Sequence, residues 1–424
     1  MYKKTCLNNG LTILTYYMPN RVSVSLGVWI KVGARYEAQE INGISHFLEH
    51  LVFKGTKTKN CEQIKQTIEG AGGTLNGFTS EEVTCYLAKV PAKYIGAAVD
   101  VLADLALNAE LKCEDIETER RVILEEIRMY NDLPSHLVME LLIKLLWPNQ
   151  SLGRHIAGEA GSVSSIDRAK LLKFQEEFYS LNNITVVACG NVRHDKFVKQ
   201  CRTHFASGRS GSANRFTAAY EKQAGLQLSL NVKQTEQTYL ALGLHGFFRG
   251  HPDYYGLEIL HILLGANMSS RLFREVREKR GLAYEIGTSV RCFQDAGAFI
   301  VHAGADNQRI KEVLQVVIEQ LREIKTHPVE KEELNRAKEY YIGQLRLGLE
   351  ETAEHMLWLG ESFVSLNKVV YPRKVIRAAA SVTAQDIMRI AGELFKDTKL
   401  NLALIGPLRN KEEEYIKREM RLEN

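Results

Sequence analysis

The order of predicted elements repeats once along the chain, and that repeat constrains the fold more than any other feature. Ser162-Val-Ser-Ser-Ile-Asp167, a helix, and a strand closing at Gly190 recur as Ser381-Val-Thr-Ala-Gln-Asp386, a helix, and a strand closing at Gly406. The offsets are 381 − 162 = 219 and 406 − 190 = 216. A period this long is a whole domain, and 424 residues exceed what one ordinary core holds. We therefore expect an α+β chain of two duplicated domains, each a mainly antiparallel sheet packed with helices. The expected boundaries are 1–206 and 223–424. Residues 207–222 read as a linker, because Ser207-Gly-Arg-Ser-Gly-Ser-Ala-Asn214 is small and polar.

Periodicity places the elements. Residues 11–17 and 22–32 read as strands, with Val22, Val24, Leu26, Val28 and Ile30 alternating with smaller or polar residues. A helix over 60–71 ends at Gly72-Gly73, an antiparallel pair covers 74–79 and 83–90, and helices follow over 94–108, 113–131, 134–146 and 165–179. A strand over 184–189 ends the half. In the second half, strands near 226–232 and 237–244 lead to a helix from Tyr254 to Gly265. A strand pair near 282–291 and 297–305 and long helices to about 365 come next.

Chemistry concentrates in His46-Phe47-Leu48-Glu49-His50, inside a run from Gly43 to Gly55. The run reads as a short helix with Ser45 as N-cap and Gly55 as a left-handed stop. His46 and His50, four apart, share one helical face, and Glu49 lies beside it. Two neutral imidazoles so placed can hold one zinc ion, and a neighbouring carboxylate can take a proton from water. By itself the pattern also suits an amphipathic helix with two surface histidines. Phe47, Leu48, Leu51, Val52 and Phe53 argue instead for burial, where polar groups need partners. At an offset of 261 − 46 = 215, His46, Glu49 and His50 map onto His261, Leu264 and Gly265. The second copy is therefore expected to have lost the metal site.

Two histidines leave zinc short of a third protein ligand. The helix from Cys113 to Tyr130 offers many acids. Its apolar stripe runs through Ile116, Ile123, Ile127 and Tyr130, and Glu119 and Glu126 share a face bordering it. Glu125 has Arg121 and Arg128 as helical neighbours, as on a solvated face. Spacing thus favours Glu126 as ligand, with Glu119 orienting a histidine or the water.

Bulk properties exclude several classes. A net charge of +4 over a chain of this size gives no argument for nucleic acid or a membrane surface. No stretch approaches a membrane span, and the N-terminus has neither a signal-peptide core nor the composition of a transit peptide. Seven scattered cysteines, never in a C-x-x-C pair, suggest a reducing compartment. We expect bacterial cytoplasm.

With these residues in hand, the chain resembles the pitrilysin/insulinase family of zinc peptidases, in its mitochondrial processing peptidase branch and short bacterial relatives. The resemblance covers essentially the whole chain and is strongest from His46 to Thr56. The family's third ligand lies about 76 residues beyond the second histidine, and 126 − 50 = 76 falls on Glu126. Its additional glutamate falls on Glu119. Residues 75–80 and 83–86 resemble the family's substrate-binding edge strand, which implies substrate contacts for Asn76, Gly77, Phe78 and Thr79. Gly77 stands where alanine is common. The family's substrate-binding Arg and Tyr match Arg277 and Tyr284, with Arg274 and Arg280 as alternatives for the arginine. Gly281 is the expected helix stop.

The resemblance implies a zinc metalloendopeptidase with one Zn²⁺ per chain at His46, His50 and Glu126, and Glu49 as general base. Two similar halves would enclose a chamber for extended peptides or unfolded polypeptide. It also implies a homodimer in which Arg277 and Tyr284 serve the partner's zinc. A non-catalytic core or scaffold subunit of a processing-peptidase-like complex is the alternative. A metal-dependent hydrolase or lyase of small molecules is disfavoured by the duplicated halves.

Overall fold

The computed structural model describes residues 2–408 and 410–423. The first half of the chain supplies strands β1 (Tyr2–Cys6), β2 (Thr12–Tyr17), β3 (Ser23–Ile30), β4 (Thr74–Thr79), β5 (Thr84–Pro91) and β6 (Ile184–Gly190). Its helices are α1 (Ile44–Val52), α2 (Cys61–Glu69), α3 (Ile95–Asn108), α4 (Cys113–Asp132), α5 (Pro134–Leu146), α6 (Ala160–Ser165), α7 (Arg168–Phe178) and α8 (His194–His204). The second half supplies β7 (Gln227–Val232), β8 (Gln237–His245), β9 (Ala283–Cys292), β10 (Gly297–Asp306) and β11 (Leu400–Gly406). Its helices are α9 (Tyr254–Leu264), α10 (Ile310–Thr326), α11 (Lys331–Gly348), α12 (Thr352–Leu366), α13 (Pro372–Ser381), α14 (Ala384–Leu394) and α15 (Asn410–Glu419). A π-helical segment covers Phe273–Glu278.

The two sheets share a plan. One runs β1-β2-β6-β3-β5-β4 and the other β7-β11-β8-β10-β9. Setting β1 aside, position matches position. β2 and β7 lie parallel to β6 and β11, and every other neighbour is antiparallel. The expected duplicated, mainly antiparallel α+β architecture is what the chain adopts. β1 escaped the sequence reading because it is a short, mostly polar edge strand with little to bury.

The chain folds into two compact units, and these are not its two halves. The first comprises Met1–Arg128, Arg154–Thr217 and Leu347–Val370, and the second Met129–Gly153, Ala218–Arg346 and Tyr371–Asn424. Each unit therefore takes a helix from the opposite half of the sequence. In the first, α12 covers β3 and β6, burying Met356, Leu359 and Phe363 against Trp29 and Val187. Each such side chain contributes about 1.5–3 kcal/mol. Gly360 permits the approach, since a Cβ there would lie 2.2 Å from the Trp29 indole. In the second, α5 covers β8 and β11 with Val138, Leu142 and Leu146. Burial on both faces explains why β6 and β11 are buried along their length and mostly apolar, apart from Thr185 and Asn401, rather than alternating.

Residues 207–217 carry no helix or strand but are tied to the first unit. The Leu181 amide donates to Arg209 O at 2.8 Å, the Asn183 side chain bonds Asn214 Oδ1 at 2.7 Å, and Arg35 lies 3.8 Å over the Phe216 ring.

Candidate metal centre

Helix α1 follows β3 and sinks Ile44, Phe47, Leu48, Leu51 and Val52 into the core of the first unit. This leaves His46, Glu49 and His50 on its half-buried side. Its start differs from the expectation that Ser45 is the N-cap. The cap residue is Gly43, whose φ of +96° favours glycine, and a Cβ there would lie 2.5 Å from Ala157 O. Ser45 sits inside the first turn, buried. The first amides are bonded by Glu37 instead. Its Oε2 accepts from Gly43 N at 2.7 Å and Asn42 Nδ2 at 2.9 Å, and its Oε1 from Ser45 N at 2.8 Å. A buried anion at a helix N-terminus does the work of a cap. Burial raises the Glu37 carboxyl above its usual range, and these bonds oppose the rise. The far end also differs: Phe53, in right-handed conformation, closes the helix rather than Gly55.

Helix α4 lays Glu119 and Glu126 alongside. Glu126 Oε2 is 3.8 Å from Nε2 of both His46 and His50, and the three donor atoms lie within 4.8 Å of one another. A tetrahedral zinc site brings such donors to roughly 3.3 Å apart, so they would draw in slightly around an ion. Glu125 faces away and pairs with Arg128. Burial, together with the neighbouring His50 and His155, drops the His46 imidazole to about 3, so its ring is neutral and offers a lone pair. His50 Nδ1 stands 3.1 Å from Glu119 Oε2, which makes Nδ1 the protonated nitrogen and leaves Nε2 as the free donor. Lys54 pairs with the other oxygen of Glu119. Two imidazoles and a carboxylate suit a divalent ion of zinc's type. Among the described residues this is the only cluster of three or more such donors.

Glu49 adjoins strand β4, at the edge of the sheet. Its Oε2 accepts from Thr79 Oγ1 at 3.2 Å. A Cβ on Gly77 would lie 3.2 Å from its Oε1 and 3.0 Å from the Phe53 ring, so the bare backbone keeps the strand close to the carboxylate. Burial raises the Glu49 carboxyl and Glu126 adds to this, while His50 and Thr79 pull it down. Asn76 is exposed, and Phe78 packs edge-on against Trp29 at 5.6 Å.

In the second unit, α9 takes the place of α1 and presents His261, but Leu264 and Gly265 bring no donors. A cavity of about 460 Å³ opens there, lined by His261, Phe273, Arg277, Tyr284, Thr288 and His302 among others. Arg277 lies between the rings of Phe273 and Tyr284, 4.7 and 4.4 Å from their centroids. Arg274 and Arg280, the alternatives to Arg277, pair with Glu275 at 3.4 and 2.7 Å. No acid pairs with Arg277 among the described residues. Tyr284 is 76% exposed; the preceding segment is closed by Lys279 rather than by the expected Gly281, which follows at φ +55° with its amide donating to Arg277 O at 3.1 Å.

Comparison with known proteins identifies the family. The insulinase (peptidase family M16) model matches residues 12–160, and the peptidase M16 inactive domain model matches 165–341. A protein of Mycobacterium tuberculosis described as an uncharacterized zinc protease is 36% identical over 409 residues, covering 96% of this chain and 93% of the relative. The chain belongs to the M16 family. The Bacillus subtilis member YmxG, also described as an uncharacterized zinc protease, is 34% identical over 410 residues, covering 97% of this chain and 99% of its own. The M16 fold recurs in the crystal structure of a protease from Helicobacter pylori, with a TM-score of 0.91 at 23% identity over 96% of this chain and 100% of that one. It recurs again in a peptidase M16 inactive domain from Pseudomonas fluorescens, at 0.90 and 18% over 96% and 98%. No helix among the described residues is long and apolar enough to cross a membrane.

Two half-buried imidazoles give a pH prediction for the metal-free protein. His46 is lowered to about 3, and His261 to about 4 by burial and the charge of His302. Below the usual 6.5 the unfolded chain binds protons there that the folded chain does not, so stability falls as pH drops from about 6.5 toward 4. His261→Asn should make this fall shallower in urea titrations across that window. An unchanged slope would mean that His261 is not held neutral.

Proposed function

We propose that this M16 protein is a zinc-dependent endopeptidase acting on extended peptides or unstructured polypeptide. The observation that carries the reading is the single Glu126 oxygen 3.8 Å from Nε2 of both His46 and His50. These three side chains would hold one Zn²⁺ per chain and leave a fourth position open. When bound, the ion would supply Lewis-acid polarisation of the scissile carbonyl and lower the pKa of a water molecule. Glu49 takes the proton from the attacking water and passes it to the leaving amine, a transfer suited to a carboxyl raised above its usual range. Thr79 holds one oxygen of Glu49, which leaves Oε1, beside Gly77, to carry the proton. Glu119 fixes the His50 tautomer.

The substrate pairs as an added strand along Asn76–Thr79, so its backbone is read and its sequence only loosely. Arg277, held against two rings, and Tyr284 bind the substrate carbonyl or its developing negative charge. The chain works as a homodimer in the bacterial cytoplasm, with Arg277 and Tyr284 of one copy serving the metal centre of the other. The site admits extended chains and excludes folded ones. The alternative is a scaffold subunit, which would neither need nor use the donor set.

Wild type should hold about one zinc per chain and cut an unstructured peptide. Glu49→Gln should keep the zinc and lose about 10²- to 10⁴-fold in kcat. A zinc-loaded wild type that leaves a broad peptide panel intact would favour the scaffold. Exchange between copies has its own test: mixing Glu49→Gln with Tyr284→Phe should restore part of the activity that each lacks. Verified heterodimers without recovery would rule it out.

A further inference from the structure

Lys54 has no part in the mechanism above, yet it sits one helical turn beyond His50, in the chain leaving α1. Its amide donates to Leu51 O at 3.0 Å, which folds the turn back toward the helix. Its ammonium reaches one oxygen of Glu119, whose other oxygen lies 3.1 Å from His50 Nδ1. The two partners differ in exposure: the Glu119 side chain is 6% exposed and that of Lys54 35%. A carboxylate held at one oxygen only can rotate about its last side-chain bond, where the torsional preference is broad. Held at both oxygens, by donors from two positions on α1 and its exit, it has one orientation. The ammonium also offsets a buried negative charge that stands on the same face of α4 as Glu126.

We propose that Lys54 is a positioning residue of the metal centre, which locks Glu119 so that His50 presents Nε2 at a fixed angle. The relay runs Lys54 Nζ, Glu119 Oε1 and Oε2, His50 Nδ1. Lys54 touches neither substrate nor metal, so its effect belongs in metal affinity rather than in substrate affinity. The proposal rests on the reading of His46, His50 and Glu126 as ligands.

The test is Zn²⁺ affinity by chelator competition, on wild type, Lys54→Met, Lys54→Arg, Glu119→Gln and the Lys54→Met/Glu119→Gln double variant. The melting temperature of each metal-free protein is measured alongside. Removing such outer partners weakens metal binding by about 10- to 100-fold. Lys54→Met should lie near the lower end, at about tenfold, and Lys54→Arg should restore most of the loss. Lys54→Met should also lower the metal-free melting temperature, because the buried Glu119 carboxylate loses its ammonium, and Lys54→Arg should restore it. In the double variant, loss of Lys54 should add nothing to loss of Glu119, since the two act through one carboxylate. Wild-type affinity in Lys54→Met overturns the proposal. So does additivity in the double variant, or a loss of affinity that Lys54→Arg does not restore. If wild type itself takes up no zinc, the ligand assignment fails instead, and the two failures are thereby told apart.

Discussion

A nine-residue helix cannot hold two imidazoles in a fixed relation by itself, because so short a helix is not stable alone in water. Everything proposed for this protein depends on how α1 is held. Five apolar side chains fix one face to the core of the first unit, and the Glu37 carboxylate bonds the first amides from a separate loop. The same carboxylate takes Asn42, whose amide also donates to His155 O at 3.1 Å, so the segment following Arg154 is drawn against the helix start. A helix anchored at its face and its beginning leaves little freedom at His46, and the exit through Lys54 and Glu119 bears on His50. Glu126 then needs only the rigidity of α4 to meet both rings.

The duplicated plan shows what a domain keeps when it no longer carries a donor set. Apart from β1, strand order and direction are the same in both units. At the place of α1, the second copy keeps one histidine, has lost the carboxylate and the second ring, and opens a cavity. That cavity holds an arginine set against two aromatic rings, and among the described residues no acid pairs with it. A cation so prepared suits a carbonyl or carboxylate arriving from outside, which is why a substrate role is proposed for it. Reciprocal exchange of α5 and α12 commits each unit to a helix from the other half of the sequence.

Much of this was legible in the sequence because it depends on local periods. The spacing of His46 and His50 and the seven-residue step from Glu119 to Glu126 are helical repeats, and the chain folds them as such. Residues 134–146 read as a helix and form one from Pro134 to Leu146. What stayed hidden is tertiary. Amphipathicity says that α5 and α12 bury a face, but not against which sheet. The cap of α1 comes from Glu37, which no local motif connects to Gly43. Ser45 looked like a cap because caps are usually the nearest hydroxyl. Lys54 sits at helical spacing from His50 but beyond the helix end, so only the folded turn brings it to Glu119.

The most direct measurement is anomalous diffraction at the zinc absorption edge, from crystals of the zinc-loaded protein. The account predicts one peak per chain, at coordination distance from His46 Nε2, His50 Nε2 and a Glu126 carboxylate oxygen, with His50 Nδ1 still on Glu119. A peak elsewhere in the chain, or none at full zinc loading, would contradict it.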